Sequence, residues 1–74
     1  MRVHVKLMGT LKSRGADGPL ELPDGSTILD LLQQLQILPE SVQTCTVNGK
    51  FEHDRQRRLQ DGDELTLLPP VGGG

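Results

Sequence analysis

The sequence predicts an α+β domain in which a mixed sheet of four to five strands packs on one main helix. Strand-like alternation occurs near both ends of the chain, and a single amphipathic helical segment lies between them. Elements that each have one apolar face bury those faces against one another, which gives a two-layer sandwich. The chain has 74 residues and therefore room for one modest core, because a chain of this size buries only about 60% of its unfolded surface.

The N-terminal part of the chain predicts two strands. In "RVHVKLM", Val3, Val5 and Leu7 alternate with more polar residues, which is the period-two pattern of a half-buried strand. "PLEL" repeats the pattern with Leu20 and Leu22 after a polar loop over residues 9–18. The two runs are expected to pair as an antiparallel hairpin with a long connection.

The segment "PDGSTILDLLQQLQI" predicts the helix. Ser26 or Thr27 is placed to cap its N-terminus, and Asp30 adds a carboxylate in the first turn, where the helix dipole favours it. Apolar residues then recur with helical spacing at Ile28, Leu31, Leu32 and Leu35. The stripe predicts a helix of about ten residues, and Pro39 prevents much continuation.

The second half of the chain returns to strands. "TCTVNGK" places Cys45 and Val47 on one face and ends in the tight-turn signal Asn48-Gly49. "ELTLL" places Leu65 and Leu67 inward and Leu68 outward, before Pro69 and Pro70 forbid further donation to a sheet. If the first and last strands are central neighbours, a β-grasp arrangement results.

Composition limits the classes of function. The net charge is −2 and Phe51 is the one aromatic residue, so binding of nucleic acid is disfavoured, because that needs a basic face and stacking platforms. No apolar run has the length of a signal peptide or membrane span, and we expect no membrane partner and a cytoplasmic location.

Isolated polar and reactive residues favour structural roles. Cys45 is the single cysteine and alternates toward the core, so packing is favoured over a sulfur relay. His4 and His53 lack a second ligand at metal spacing, and we expect no metal site. The stretch around Arg55, Arg57 and Arg58 mixes both signs of charge, which is typical of a solvated loop.

The order of elements, together with several short motifs, resembles the ubiquitin-like sulfur carrier proteins of the MoaD and ThiS family. The motifs are the alternating first strand followed by "GTLK", then "PDGSTILDLLQQL", "TVNGK", "LQDGDELTLLPPV" and a terminal Gly-Gly. The resemblance covers the full length. It differs at Gly72, where relatives often carry a bulkier residue before the diglycine.

The resemblance implies a carrier with no catalytic residues of its own. A separate ubiquitin-activating-type adenylyltransferase would use ATP to adenylate Gly74, and a sulfur donor enzyme would displace AMP to leave a terminal thiocarboxylate. A sulfur-acceptor synthase would then receive the sulfur, and no cofactor would be bound permanently. The chain could be the non-catalytic small subunit of a molybdopterin synthase.

These expectations assign roles to particular residues. Residues 1–70 form the β-grasp domain and residues 71–74 a flexible tail, with Gly73 and Gly74 able to thread a narrow channel because they lack a Cβ. The residues expected to position the tail are Pro69, Pro70, Val71 and Gly72. A partner surface is expected at Leu68, Met8 and Phe51.

Several alternatives stay open. Within the family, the long first hairpin favours molybdopterin synthesis as the pathway that receives the sulfur, whereas the short chain favours synthesis of the thiamine thiazole. We favour molybdopterin slightly, and thiolation of transfer RNA is a further alternative. A different class of function is a β-grasp interaction module, or a ubiquitin-like modifier conjugated to proteins through Gly74. The glycines are also compatible with a frayed end that has no function.

Overall fold

The computed structural model describes residues 1–14 and 17–70. In chain order it contains β1 (Arg2–Leu7), a first 3-10 helix (Gly9–Arg14), β2 (Gly18–Glu21), α1 (Ile28–Gln34), a second 3-10 helix (Pro39–Ser41), β3 (Thr44–Val47), β4 (Lys50–Phe51) and β5 (Glu64–Leu68). The predicted α+β class is confirmed.

The five strands form one sheet in the order β2-β1-β5-β3-β4. β1 and β5 are parallel, with Val5 opposite Leu65, whereas β5 is antiparallel to β3, with Cys45 opposite Leu67. The first and last strands are therefore adjacent at the centre of a mixed sheet, as the β-grasp prediction requires. The hairpin of β1 and β2 is also confirmed, with Val3 opposite Leu20.

The core lies on one face of the sheet. Alternate residues of the three inner strands are buried, and the buried residues of α1 are Ile28, Leu31 and Leu32. They join one cluster with residues outside the sheet and α1, such as Leu11 in the first 3-10 helix and Leu59. Complete burial of a leucine or isoleucine contributes about 1.5–3 kcal/mol, so this one cluster is the main source of stability.

The helix is shorter than the sequence predicts. It spans Ile28–Gln34, because Leu35 is already its C-cap and Gln36 adopts φ +59°. The amide of Gln36 donates to the carbonyl of Gln33, and the amide of Ile37 donates to the carbonyl of Leu32. This pair of bonds is a Schellman motif, which ends a helix at a left-handed residue. The helix therefore stops before Pro39 can act on it.

The N-terminus of α1 has a capping box. The Thr27 hydroxyl accepts from the amide of Asp30 at 3.2 Å, and the Asp30 carboxylate accepts from the amide of Thr27 at 2.9 Å. The cap is thus Thr27, while Ser26 is buried and donates its hydroxyl to the carbonyl of Pro23. Two otherwise unpaired amides at the start of the helix are satisfied in this way.

Asp63 joins the turn before β5 to the hairpin of β3 and β4. It is 6% exposed, and its two carboxylate oxygens accept from the Asn48 side-chain amide at 3.0 Å and from the backbone amide of Gln60 at 2.8 Å. The carbonyl of Asn48's own side chain accepts from the amide of Glu64. This polar cluster fixes the start of the central strand.

Across residues 1–14 and 17–70, no helix is long and apolar enough to cross a membrane. The longest α-helix in these ranges, α1, has 7 residues, whereas crossing the hydrocarbon core takes about 20.

Candidate functional site: the root of the C-terminal tail

The C-terminal end of β5 is held from both sides. The amide of Met8 donates to the carbonyl of Leu67 at 3.0 Å, and the amide of Gln43 donates to the carbonyl of Leu68 at 2.9 Å. The chain then enters Pro69 and Pro70, which have no amide hydrogen and a fixed φ near −65°. We call Leu68, Pro69 and Pro70 the tail root. It is the point at which the central strand passes into the C-terminal residues.

Gly9 lies directly against the tail root. A Cβ built on Gly9 would stand 2.9 Å from Cγ and 3.4 Å from Cδ of Pro69. Gly9 also adopts φ +54°, a conformation that favours glycine. It begins the first 3-10 helix, which is anchored by the buried side chain of Leu11. The proline ring therefore packs on a fixed piece of backbone.

A polar cleft runs beside this contact. The two 3-10 helices and the tail root form its walls, with the lining residues Thr10, Leu11, Ser13, Glu40, Ser41, Pro69 and Pro70. Pro69 is half-buried and Pro70 is exposed. Thus Pro70, the last described residue, lies at the surface of the body.

The remaining tail predictions concern Val71, Gly72, Gly73 and Gly74. All of them lie outside the described residues, so their roles stay predictions.

The sheet brings two of the three predicted partner residues together. Leu68 and Met8 are both half-buried: Leu68 lies on the face of β5 opposite the core, and Met8 directly follows β1, where its amide donates to the carbonyl of Leu67, next to Leu68. Phe51 is 72% exposed but lies opposite Thr46 in β3, whereas Leu68 lies opposite Thr44. Threonine residues therefore separate Phe51 from the pair formed by Leu68 and Met8.

Cys45 is a core residue, as predicted. Its side chain is 1% exposed, and burial raises the pKa of its thiol, an effect that the nearby Arg55 opposes. A buried, protonated thiol is a poor nucleophile, because the thiolate is the reactive form. His4 and His53 are exposed. Within the ranges that the structure describes, no cluster of at least three His, Cys, Asp or Glu residues could hold a metal ion.

The arginine-containing loop has a role that sequence reasoning missed. The carbonyls of Arg57 and Arg55 accept from the amides of Ile28 and Leu29, at 3.1 and 2.9 Å. With Thr27 capping Asp30, the first three amides of α1 are all engaged. An amide already donating within the protein is not available to a phosphate group, so the start of α1 does not form a phosphate cradle.

A small β-grasp body with a proline-stiffened tail root leaving its central strand defines a ubiquitin-like protein. The sequence matches the model of the ThiS family over residues 5–74. The chain belongs to the ThiS family, as the resemblance predicted.

Individual relatives agree with this assignment. The chain is 32% identical to the molybdopterin synthase sulfur carrier subunit of Chlamydomonas reinhardtii, over 97% of this chain and 100% of that protein. Two solved structures are also similar. The first, a complex of subunits 1 and 2 of the molybdopterin-converting factor from Helicobacter pylori, gives a TM-score of 0.68 at 30% identity over 100% of both chains. The second, small archaeal modifier protein 1 from Methanosarcina acetivorans, gives 0.74 at 27% identity over 99% of this chain and 96% of that one.

Proposed function

We propose that this protein is a sulfur carrier that works as a substrate of partner enzymes. The observation that carries the proposal is the tail root, where a central, doubly hydrogen-bonded strand passes into two prolines at the protein surface. Two prolines at this point stiffen the root of the tail and would limit the conformational freedom lost when the tail enters another protein. The relatives that carry sulfur for molybdopterin synthase support the same role.

The chemistry would take place at the Gly74 carboxylate. A carboxylate oxygen attacks the α-phosphorus of ATP in the site of a ubiquitin-activating-type enzyme, and the bond to pyrophosphate breaks. Attack by a hydrosulfide-level sulfur atom from a donor enzyme then breaks the bond between the acyl carbon and AMP. The product is a C-terminal thiocarboxylate, which carries the sulfur. Gly73 and Gly74 suit this step because a chain without Cβ atoms passes through a narrow channel.

The acceptor we favour is molybdopterin synthase, with this chain as its non-catalytic small subunit. Both the Chlamydomonas relative and the Helicobacter complex belong to that system by name. In this proposal the outer face around Leu68 and Met8 contacts the partner, since it adjoins the tail root and is half-buried and apolar. Phe51 would contact the partner at a separate point, across the intervening threonines.

The central experiment is mass spectrometry of the intact chain after incubation with an activating enzyme, ATP and a sulfur donor. A sulfur carrier gains the mass difference between sulfur and oxygen, and a chain lacking Gly73 and Gly74 gains nothing while keeping its fold. If neither adenylate nor thiocarboxylate forms with any cognate activating enzyme, the proposal is wrong. Supplying the thiocarboxylated chain to molybdopterin synthase or to thiazole synthase then identifies the acceptor.

The contact face has its own matched pair of variants. Leu67 and Leu68 are adjacent in β5 but point to opposite faces, and Leu67 is completely buried. Leu68→Ala should weaken binding to the partner with little change in the free energy of unfolding. Leu67→Ala should cost about 2–5 kcal/mol of stability while leaving the contact face unchanged. Equal partner affinity for wild type and Leu68→Ala would remove Leu68 from the interface.

A second candidate function is conjugation to other proteins. Similarity to small archaeal modifier protein 1 favours it, because that protein is a modifier by name. In this case the activated Gly74 carbonyl would be attacked by a lysine amine and form an isopeptide bond. Tryptic digestion of a reaction with protein substrates would then leave a C-terminal remnant of this chain on lysine, which a pure sulfur carrier does not produce.

A further inference from the structure

The contact between Gly9 and Pro69 is close enough to determine where the tail root points. Only the missing side chain of Gly9 allows it, because a Cβ there would lie 2.9 Å from Cγ of Pro69. Of the five described glycines that have a positive φ, the other four, namely Gly18, Gly25, Gly49 and Gly62, have open space where their Cβ would be. Position 9 therefore favours glycine for two reasons, its positive φ and the lack of space for a Cβ beside Pro69.

The surrounding structure leaves the proline ring little room to move. Met8 and Gln43 fix the last two carbonyls of β5, and φ of each proline is fixed by its ring. The direction of the chain after Leu68 then depends on ψ of Leu68, which the bond from Gln43 restrains, and on ψ of Pro69; of these two, only ψ of Leu68 moves the Pro69 ring relative to β5. Cδ of Pro69 is bonded to the backbone nitrogen and stands 3.4 Å from the position of a Gly9 Cβ. A rotation that relieves a contact at Cγ and Cδ therefore turns the backbone that follows.

We propose that Gly9 is a positioning residue for the C-terminal tail. It acts through Pro69, by giving the proline ring a backbone surface to rest on, and it does not touch the reacting carboxylate. This inference rests on the proposed function, because it assigns to the first 3-10 helix the task of aiming the tail into the activating enzyme.

The test compares Gly9→Ala with Gly62→Ala. Both glycines have φ in the left-handed region, at +54° and +88°, so both alanine variants carry backbone strain. Gly62 precedes β5 and lies at the opposite end of that strand from the tail root, with nothing within 4 Å of its Cβ position. The control thus reproduces the strain but not the contact.

The kinetic readout is adenylation by the cognate activating enzyme. A displacement of the reacting group by about 1 Å can reduce the rate about 100-fold, so we expect Gly9→Ala to lower kcat by about tenfold or more. KM should change little, because the outer face of the sheet is intact. Gly62→Ala should keep wild-type kcat and KM at temperatures where it is folded. Equal kcat for the two alanine variants would overturn the proposal, since it would mean that a change of ring pucker absorbs the contact.

A double variant tests the mechanism directly. Alanine at position 69 has neither Cγ nor Cδ, so adding Gly9→Ala to Pro69→Ala should produce no further loss of kcat. A full tenfold loss in the Pro69→Ala background would also refute the proposal, because Gly9 would then act through some other contact.

A structural readout separates this inference from the proposed function. Residual dipolar couplings of the backbone amide of Val71, the first amide after the two prolines, report the direction of the tail without any enzyme. The Val71 coupling should change in Gly9→Ala and stay as in wild type in Gly62→Ala, while the coupling of the Leu68 amide, which precedes the rotation, should stay the same in both. If the wild-type chain is never adenylated, the proposed function fails while the Val71 coupling still decides whether Gly9 aims the tail. An unchanged Val71 coupling in Gly9→Ala refutes the positioning role even if adenylation is observed.

Discussion

Replacing Asp63 by alanine should lower the stability of this protein strongly, although the side chain is far from the tail root. The substitution removes two charge-assisted hydrogen bonds, one from the Asn48 side chain and one from the Gln60 amide. Such bonds contribute about 1.5–3 kcal/mol each. Asn48 and Gln60 are both exposed residues, so water can reach the released donors and the lower end applies. Two bonds at the lower end give an expected loss of about 3 kcal/mol.

This loss is large relative to the total free energy of unfolding. At about 0.05–0.15 kcal/mol per residue, a chain of 74 residues has a free energy of unfolding of roughly 4–11 kcal/mol. The assay is urea unfolding, in which a small domain has a slope of about 1 kcal/mol per molar urea. The midpoint of Asp63→Ala should therefore fall by about 3 M relative to wild type.

Asp61→Ala is the matched control for this prediction. Asp61 is an exposed carboxylate in the same turn that accepts from the amide of Arg2 at 2.7 Å. Its removal should cost about 1 kcal/mol or less, because exposed groups exchange the bond for water. If the two variants have the same midpoint, the polar cluster around Asp63 does not stabilise the fold and the reasoning fails.

Three further predictions concern the core and the two ends of the helix. Burial raises the folded-state pKa of Cys45, so stability should fall as pH rises above about 8.5, the ordinary thiol value. Urea midpoints at neutral and alkaline pH measure how steeply stability falls with pH. The fall should be smaller in Cys45→Ala than in wild type, and an equal fall in both would contradict the prediction. Gln36→Gly should raise the free energy of unfolding by about 0.5 kcal/mol, because it relieves a left-handed glutamine, whereas Gln33→Gly inside α1 should lower it by about 1 kcal/mol. Changes of the same sign in thermal melting would refute this. Thr27→Ala should cost about 1 kcal/mol in the same assay, while Thr10→Ala, an exposed threonine outside the capping box, should cost less.

Local patterns account for the parts of the fold that the sequence predicts. Alternation identifies the faces of β1, β3 and β5, and the spacing from Thr27 to Asp30 identifies the capping box. The length of α1 is wrong because a glutamine in the left-handed conformation has no clear sequence signal. The apolar stripe continues to Leu35, and the chain turns only after it.

Contacts between distant segments account for what the sequence did not predict at the site. The carbonyls of Arg55 and Arg57 cap α1 through backbone atoms, which any residue type supplies, so the side chains give no indication of it. The role of Gly9 depends on Pro69 at the other end of the chain. A glycine soon after the first strand indicates a special backbone position, but that it contacts Pro69 follows only from the parallel pairing of β1 with β5.

That pairing also has a consequence for the order of events during synthesis. β5 supplies the middle of the sheet and is the last of its five strands to be made, and until it arrives β1 is paired only with β2 and β3 only with β4. Pairing between such distant segments is slow, because the intervening chain must be closed into a loop first. A nascent chain that stops before Glu64 has no central strand and exposes its apolar residues to proteases. Only chains that have been translated as far as the tail root can therefore complete the sheet and accumulate as folded protein.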